Sequence, residues 1–118
     1  MRKIYHLSTC STCQQIIKQL KLKEKDFVFQ DIKTEKITAQ QLDQMIKMGG
    51  SIEPLFSTKA IKYRDLGLKD KKLTSAEIKN YILNEYTFLK RPVIIVDSKI
   101  FIGNSAETIS RVSSALGS

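Results

Sequence analysis

Long apolar runs are absent from this 118-residue chain, as are internal repeats and low-complexity segments. No stretch is apolar for long enough to cross a bilayer, so no membrane partner is expected. Residues 1–9, MRKIYHLST, begin basic but lack the long apolar centre of a signal peptide, and a cytoplasmic location is the expectation. Two cysteines and one histidine fall short of the four ligands of a structural zinc site, so no metal is expected. Cysteine is also too scarce for a disulfide scaffold, and a chain of this length buries a core without one. Acidic residues are outnumbered 12 to 20 by lysine and arginine, a formal net charge of +8. The lysines cluster at Lys18, Lys21, Lys23 and Lys25 and again at Lys69, Lys71 and Lys72, but no aromatics are interleaved to make a stacking platform. Direct nucleic-acid binding is therefore not expected.

What the chain does have is STCSTC at residues 8–13, two cysteines three apart at the end of a short strand-like run. KIYHLS, residues 3–8, reads as that strand. From Cys13 the apolar positions Cys13, Ile16, Ile17 and Leu20 follow the spacing of one helical face, so Cys13 should point inward. Ser8 and Thr9 are candidate caps, which puts Cys10 at the first turn and facing outward. DFVFQDI, residues 26–32, reads as a second strand joined to the first through the helix, and the two should be parallel.

The middle of the chain is helical text. TAQQLDQMIKMGG opens at Thr38 and should stop at Gly49. STKAIKYRDLG gives another amphipathic stretch, and TSAEIKNYILNEY opens at Thr74 or Ser75 with Glu77 supporting the first turn. RPVIIVDSKIFIGNS, residues 91–105, is hairpin text that turns at Asp97 and Ser98. A closing helix capped by Ser105 carries Ile109, Val112 and Leu116 on one face and stops at Gly117. The expectation is an α/β fold, β-α-β, helical insert, β-β-α, as one domain over 1–118 with the insert at approximately 36–89.

A thiol reacts as its thiolate, and the unsatisfied N–H groups of a helix N-terminus favour that form at Cys10. Cys13, one turn deeper, is placed to resolve a mixed disulfide formed at Cys10. Taken alone, Cys13 reads equally well as a small buried hydrophobe; beside Cys10 in a βαβ frame the pair reads as a redox centre. His6 reads as a strand residue near the site that modulates the thiolate if its ring faces Cys10. Arg91 precedes Pro92 at the head of a strand, where proline forfeits no ladder hydrogen bond; its guanidinium is either an anion or thiolate partner or an ordinary surface group.

STCSTC, LFSTKAIKYRDLGL and LKRPVIIVDSKIFIGNSAE together resemble the arsenate reductase family of glutaredoxin-like proteins, nearest its Spx-like branch, over nearly the whole chain. The resemblance implies a thioredoxin-like fold with a mixed four-stranded sheet and a cis peptide bond before the groove-shaping Pro92. It implies that Cys10 attacks arsenate, with glutathione releasing arsenite and a glutaredoxin or thioredoxin as reductant, and that no cofactor is bound. Of the three arginines that hold the oxyanion in that family, this chain keeps Arg91; Ser57, with Lys59 nearby, and Asn104 stand at the other two positions. The Spx-like branch uses the same cysteine pair as a redox switch and binds the RNA polymerase α subunit. Three functions are thus expected in turn: a thiol-disulfide oxidoreductase with Cys10 attacking and Cys13 resolving, an arsenate reductase, and a redox-switched binding protein.

Overall fold

A computed structural model describes residues 1–117. The chain runs β1 (Arg2–His6), α1 (Ser11–Gln19), β2 (Val28–Asp31), α2 (Ala39–Gly49), α3 (Ile61–Asp65), α4 (Ser75–Asn84), β3 (Val93–Val96), β4 (Lys99–Ile102) and α5 (Ala106–Ala115), with short 3₁₀ turns between. The described residues divide into two compact units, residues 1–35 with 91–117 and residues 36–90.

The first unit holds a four-stranded sheet in the order β2-β1-β3-β4. β1 and β2 are parallel, as the intervening helix requires, with Ile4 opposite Phe29 and His6 opposite Asp31. β3 is antiparallel to β1 and to β4, so the sheet is mixed. VIIV in β3 is buried at every position, which is why it reads as a continuous apolar run, not an alternating one. The β3–β4 turn falls at Asp97, which adopts a left-handed φ of 56°. Ile4, Ile94 and Val96 pack with Ile16 and Ile17 of α1, its C-cap Leu20 and Val112 of α5, and Phe27, Phe29, Phe101, Ile109 and Leu116 close around them. That layer fixes α1 on the sheet and with it the position of the cysteines.

The second unit is helical. Thr38 caps α2 through a reciprocal pair: Gln41 N–H donates to Thr38 Oγ1 at 3.0 Å, and Thr38 N–H donates to Gln41 Oε1 at 3.1 Å. Thr74 and Glu77 repeat the device on α4, at 3.0 and 3.2 Å. α2 runs one residue beyond the expected stop: Gly49 is its last helical residue and Gly50, at φ 90°, is the left-handed cap. The STKAIKYRDLG segment makes only the five-residue α3, which buries none of its side chains. Gly67 at φ 64° breaks it from a following 3₁₀ turn, where Leu68 is buried. Phe56 stacks on Phe88 at 5.3 Å between ring centroids and meets the edge of Tyr63 at 5.8 Å. Lys79 of α4 pairs with Asp43 of α2 at 2.7 Å.

Candidate functional site

Cys10 is the residue that caps α1. Its backbone is extended, its N–H donates to Leu7 O at 2.9 Å and its carbonyl accepts from Gln14 N–H at 3.2 Å. Ser8 and Thr9, expected as caps, do not fill that role; no side-chain hydrogen bond caps the helix start, and no acidic residue lies in the first turn. The backbones of Cys13 and Thr12, at the open start of the helix, favour the thiolate of Cys10. A neutral thiol accepts from backbone N–H groups weakly, whereas a thiolate accepts through charge-assisted bonds.

The two thiols are driven apart by their surroundings. Partial burial pushes Cys10 up, but the Cys13 backbone, the Cys13 thiol, the Thr12 backbone and the charge of Arg91 together outweigh it and leave Cys10 below the ordinary thiol value. Cys13 is 0% exposed. Burial is the main reason its thiol is pushed up to about 11, reinforced by the negative charge and hydrogen bond of Cys10 and opposed by the Leu7 backbone and Arg91. Both cysteines are free thiols within hydrogen-bonding reach of each other. The expected inward and outward placement holds.

Arg91 is half-buried, and its charge reaches both sulfurs. The Arg91–Pro92 peptide bond is cis, and Pro92 is buried. Pro92 O accepts from Gly103 N–H at 2.9 Å, which ties the head of β3 to the residue before the exposed Asn104. Ser57 and Lys59 belong to the other compact unit. There Ser57 N–H donates to Phe88 O at 2.7 Å beside the bridge that pairs Phe56 with Leu89, and Lys59 is exposed ahead of α3. The structure thus groups Cys10, Cys13 and Arg91 within one unit.

His6 is the last residue of β1. Its ring sits edge-on to Phe29 at 5.8 Å, and Nδ1 is buried with no hydrogen-bond partner among the described residues. Burial holds His6 below the usual histidine value, Asp31 counteracts this and Lys23 adds to it. Asp31 itself escaped the sequence reading, where it was only a polar residue ending a strand. The signal for it was the parallel βαβ reading, which carries the C-terminal end of β2 to the same sheet edge as the cysteine loop.

Residues 5–112 match the ArsC family. The chain belongs to that family. The global transcriptional regulator Spx of Lactiplantibacillus plantarum is 21% identical over 109 residues, 92% of this chain and 83% of that protein. A structure described as a possible arsenate reductase from Streptococcus mutans UA159 is 29% identical, with a TM-score of 0.73 over 93% of this chain and 98% of the other. Arsenate reductase from Vibrio cholerae superposes with a TM-score of 0.80 at 16% identity, over 94% and 96% of the two chains. The fold of this ArsC-family chain is the thioredoxin-like one, with its mixed sheet and five helices.

Proposed function

We propose that this ArsC-family protein is a thiol-disulfide oxidoreductase in which Cys10 attacks and Cys13 resolves. The observation that carries the reading is the placement of two free thiols within reach of each other, Cys10 half-buried at the start of α1 and Cys13 fully buried one turn deeper, surroundings that hold Cys10 low and Cys13 high. At neutral pH the pair supplies a nucleophile and a protonated reserve. The Cys10 thiolate attacks one sulfur of a substrate disulfide, forming a mixed disulfide and releasing the other sulfur as a thiolate that takes up a proton. Burial is the main influence holding the Cys13 thiol high, and the mixed disulfide removes the smaller one, the negative charge and hydrogen bond of Cys10, which eases ionisation of Cys13. Cys13 then loses its proton and attacks Cys10 Sγ, and the substrate's second sulfur leaves as a thiol. Two protein thiols are oxidised to one disulfide, and glutathione, a glutaredoxin or a thioredoxin returns the electrons in the cytoplasm.

Replacing Cys13 with serine, C13S, accumulates mixed disulfides at Cys10 in the presence of oxidised glutathione, visible by intact mass. Accumulation at Cys13 in C10S, with none at Cys10 in C13S, would reverse the assignment.

Arsenate reduction is the second reading, supported by the guanidinium of Arg91 in the field of both sulfurs, where it also suits an oxyanion. It predicts arsenate-dependent oxidation of glutathione with glutaredoxin, in an assay validated on an active arsenate reductase. No turnover there removes it. The likeness to Spx regulators supports a third use, in which the disulfide state gates binding to the RNA polymerase α subunit. Equal affinity of the reduced and oxidised protein for that subunit excludes it.

A further inference from the structure

We infer that Asp31 is a positioning residue for the Cys10 thiol: its carboxylate holds Ser8, and the Leu7–Ser8 backbone in turn holds the start of the helix that carries both cysteines. The inference deepens the redox reading and rests on it for its functional meaning.

Asp31 ends β2 directly opposite His6, the last residue of β1, in a parallel register. The connection from β1 to α1 therefore begins beside the Asp31 carboxylate. Oδ1 accepts from Ser8 N–H at 3.4 Å and from Lys33 N–H at 3.2 Å. The Ser8 side chain is the largest influence holding Asp31 below the usual carboxylate range. Burial opposes it, while the Lys33 and Ser8 backbones and His6 assist. The Asp31 carbonyl accepts from Glu35 N–H at 2.8 Å, so the carboxylate projects from a segment that is itself anchored.

Ser8 is gripped from the other side as well. Its carbonyl accepts from Gln14 Nε2 of α1 at 3.1 Å. One residue earlier, Leu7 O accepts the Cys10 N–H at 2.9 Å, and the Leu7 backbone, together with Arg91, favours the Cys13 thiolate. Asp31 thus connects to each sulfur through two adjacent peptide units. A thiolate held by N–H groups gains from them only while its backbone keeps it in their direction. Asp31 does not touch the sulfurs; it fixes the frame from which Cys10 meets Thr12, Cys13 and Arg91.

A pure charge effect has the opposite sign. Removing a nearby carboxylate favours a thiolate and lowers its titration midpoint, whereas loosening the frame raises it. Cys10 is titrated by the pH dependence of its alkylation by iodoacetamide in full-length protein, for Asp31→Asn, Ser8→Ala, Ser8→Thr and an Asp43→Asn control remote from the pair in sequence. The expected result is a rise of about half a pH unit or more in Asp31→Asn and in Ser8→Ala, a return towards wild type in Ser8→Thr, and no change in Asp43→Asn. The Asp31→Asn and Ser8→Ala shifts should also be non-additive in the double variant, because both weaken the same Asp31–Ser8 contact. An unchanged or lowered midpoint in Ser8→Ala, or in an Asp31→Asn protein that folds, overturns the inference, even where the melting temperature falls. Wild-type protein that never forms its disulfide in glutathione buffers would remove the redox reading instead, since the midpoints are read without any substrate.

Discussion

Removing the guanidinium of Arg91 separates electrostatics from position at the level of single residues. Its positive charge favours the thiolate at both Cys10 and Cys13, so Arg91→Ala should raise both titration midpoints. At pH 7, alkylation of Cys10 should slow several-fold, in proportion to the lost thiolate. Wild-type protein should alkylate at Cys10 well before Cys13 between pH 6 and 8, because the Cys13 thiol ionises only near 11. Peptide mapping after partial alkylation reads the order directly, and equal labelling at both sites contradicts the assigned environments. Asp31 adds an acid limit. Its carboxyl is held below the usual range in the fold, so the contribution of its hydrogen bonds is complete above the unfolded value and fades as pH falls through the folded one. Ser8→Ala should therefore weaken the pH dependence of stability below about pH 4 without altering it near neutrality.

Helices α2 and α4 show how far local chemistry reaches. Thr38 and Gln41 cap α2 reciprocally, and Thr38→Ala should cost about 1 kcal/mol in urea denaturation, the usual loss for such a cap. The same cap was legible from the Thr38 and Thr74 positions, because a hydroxyl followed by a glutamine or glutamate three residues on is itself the cause of the helix start. Gly49 and Gly50 could not be told apart in this way: either can adopt the left-handed conformation, and which does so depends on where the last α2 hydrogen bond, from Gly50 N–H to Ile46 O, falls. α3 was over-read for a different reason. Ile61 remains 68% exposed and Leu66 46%, so its apolar spacing does not correspond to a buried face. The start of α1 differs from the expectation of a Ser8 or Thr9 cap because Cys10 occupies the cap position with no side-chain cap hydrogen bond, and Ser8 N–H instead donates to Asp31.

At the scale of the whole molecule, the direction of the neighbouring strands and the placement of the cysteines followed from connectivity. A helix between two strands makes them parallel, a two-residue turn makes β3 and β4 antiparallel, and the cysteine pair then falls at the C-terminal end of β1. What the sequence could not show was the third dimension of the site: that Arg91, 78 positions beyond Cys13 by number, lies in the field of both sulfurs and that Asp31 reaches Ser8. Those contacts depend on β1 being flanked by β2 and β3, a choice made by the packing of Ile4, Ile94 and the α1 face. Ile94→Ala in that layer should cost about 2–5 kcal/mol in chemical denaturation. The same variant should lower the yield of intramolecular disulfide on oxidation, since α1 is seated on that layer.

The pairing of Cys10 with Cys13 as a reversible couple is tested most directly by intact mass after alkylation, on wild-type protein equilibrated across glutathione redox buffers. The expected result is a single transition from two alkylated thiols to none, with a midpoint within the cytosolic range of roughly −220 to −320 mV, and mixed disulfide confined to Cys10 in C13S. Two thiols that stay alkylatable in every buffer, with no glutathione adduct on either, would contradict the account and leave Cys13 as a buried apolar residue.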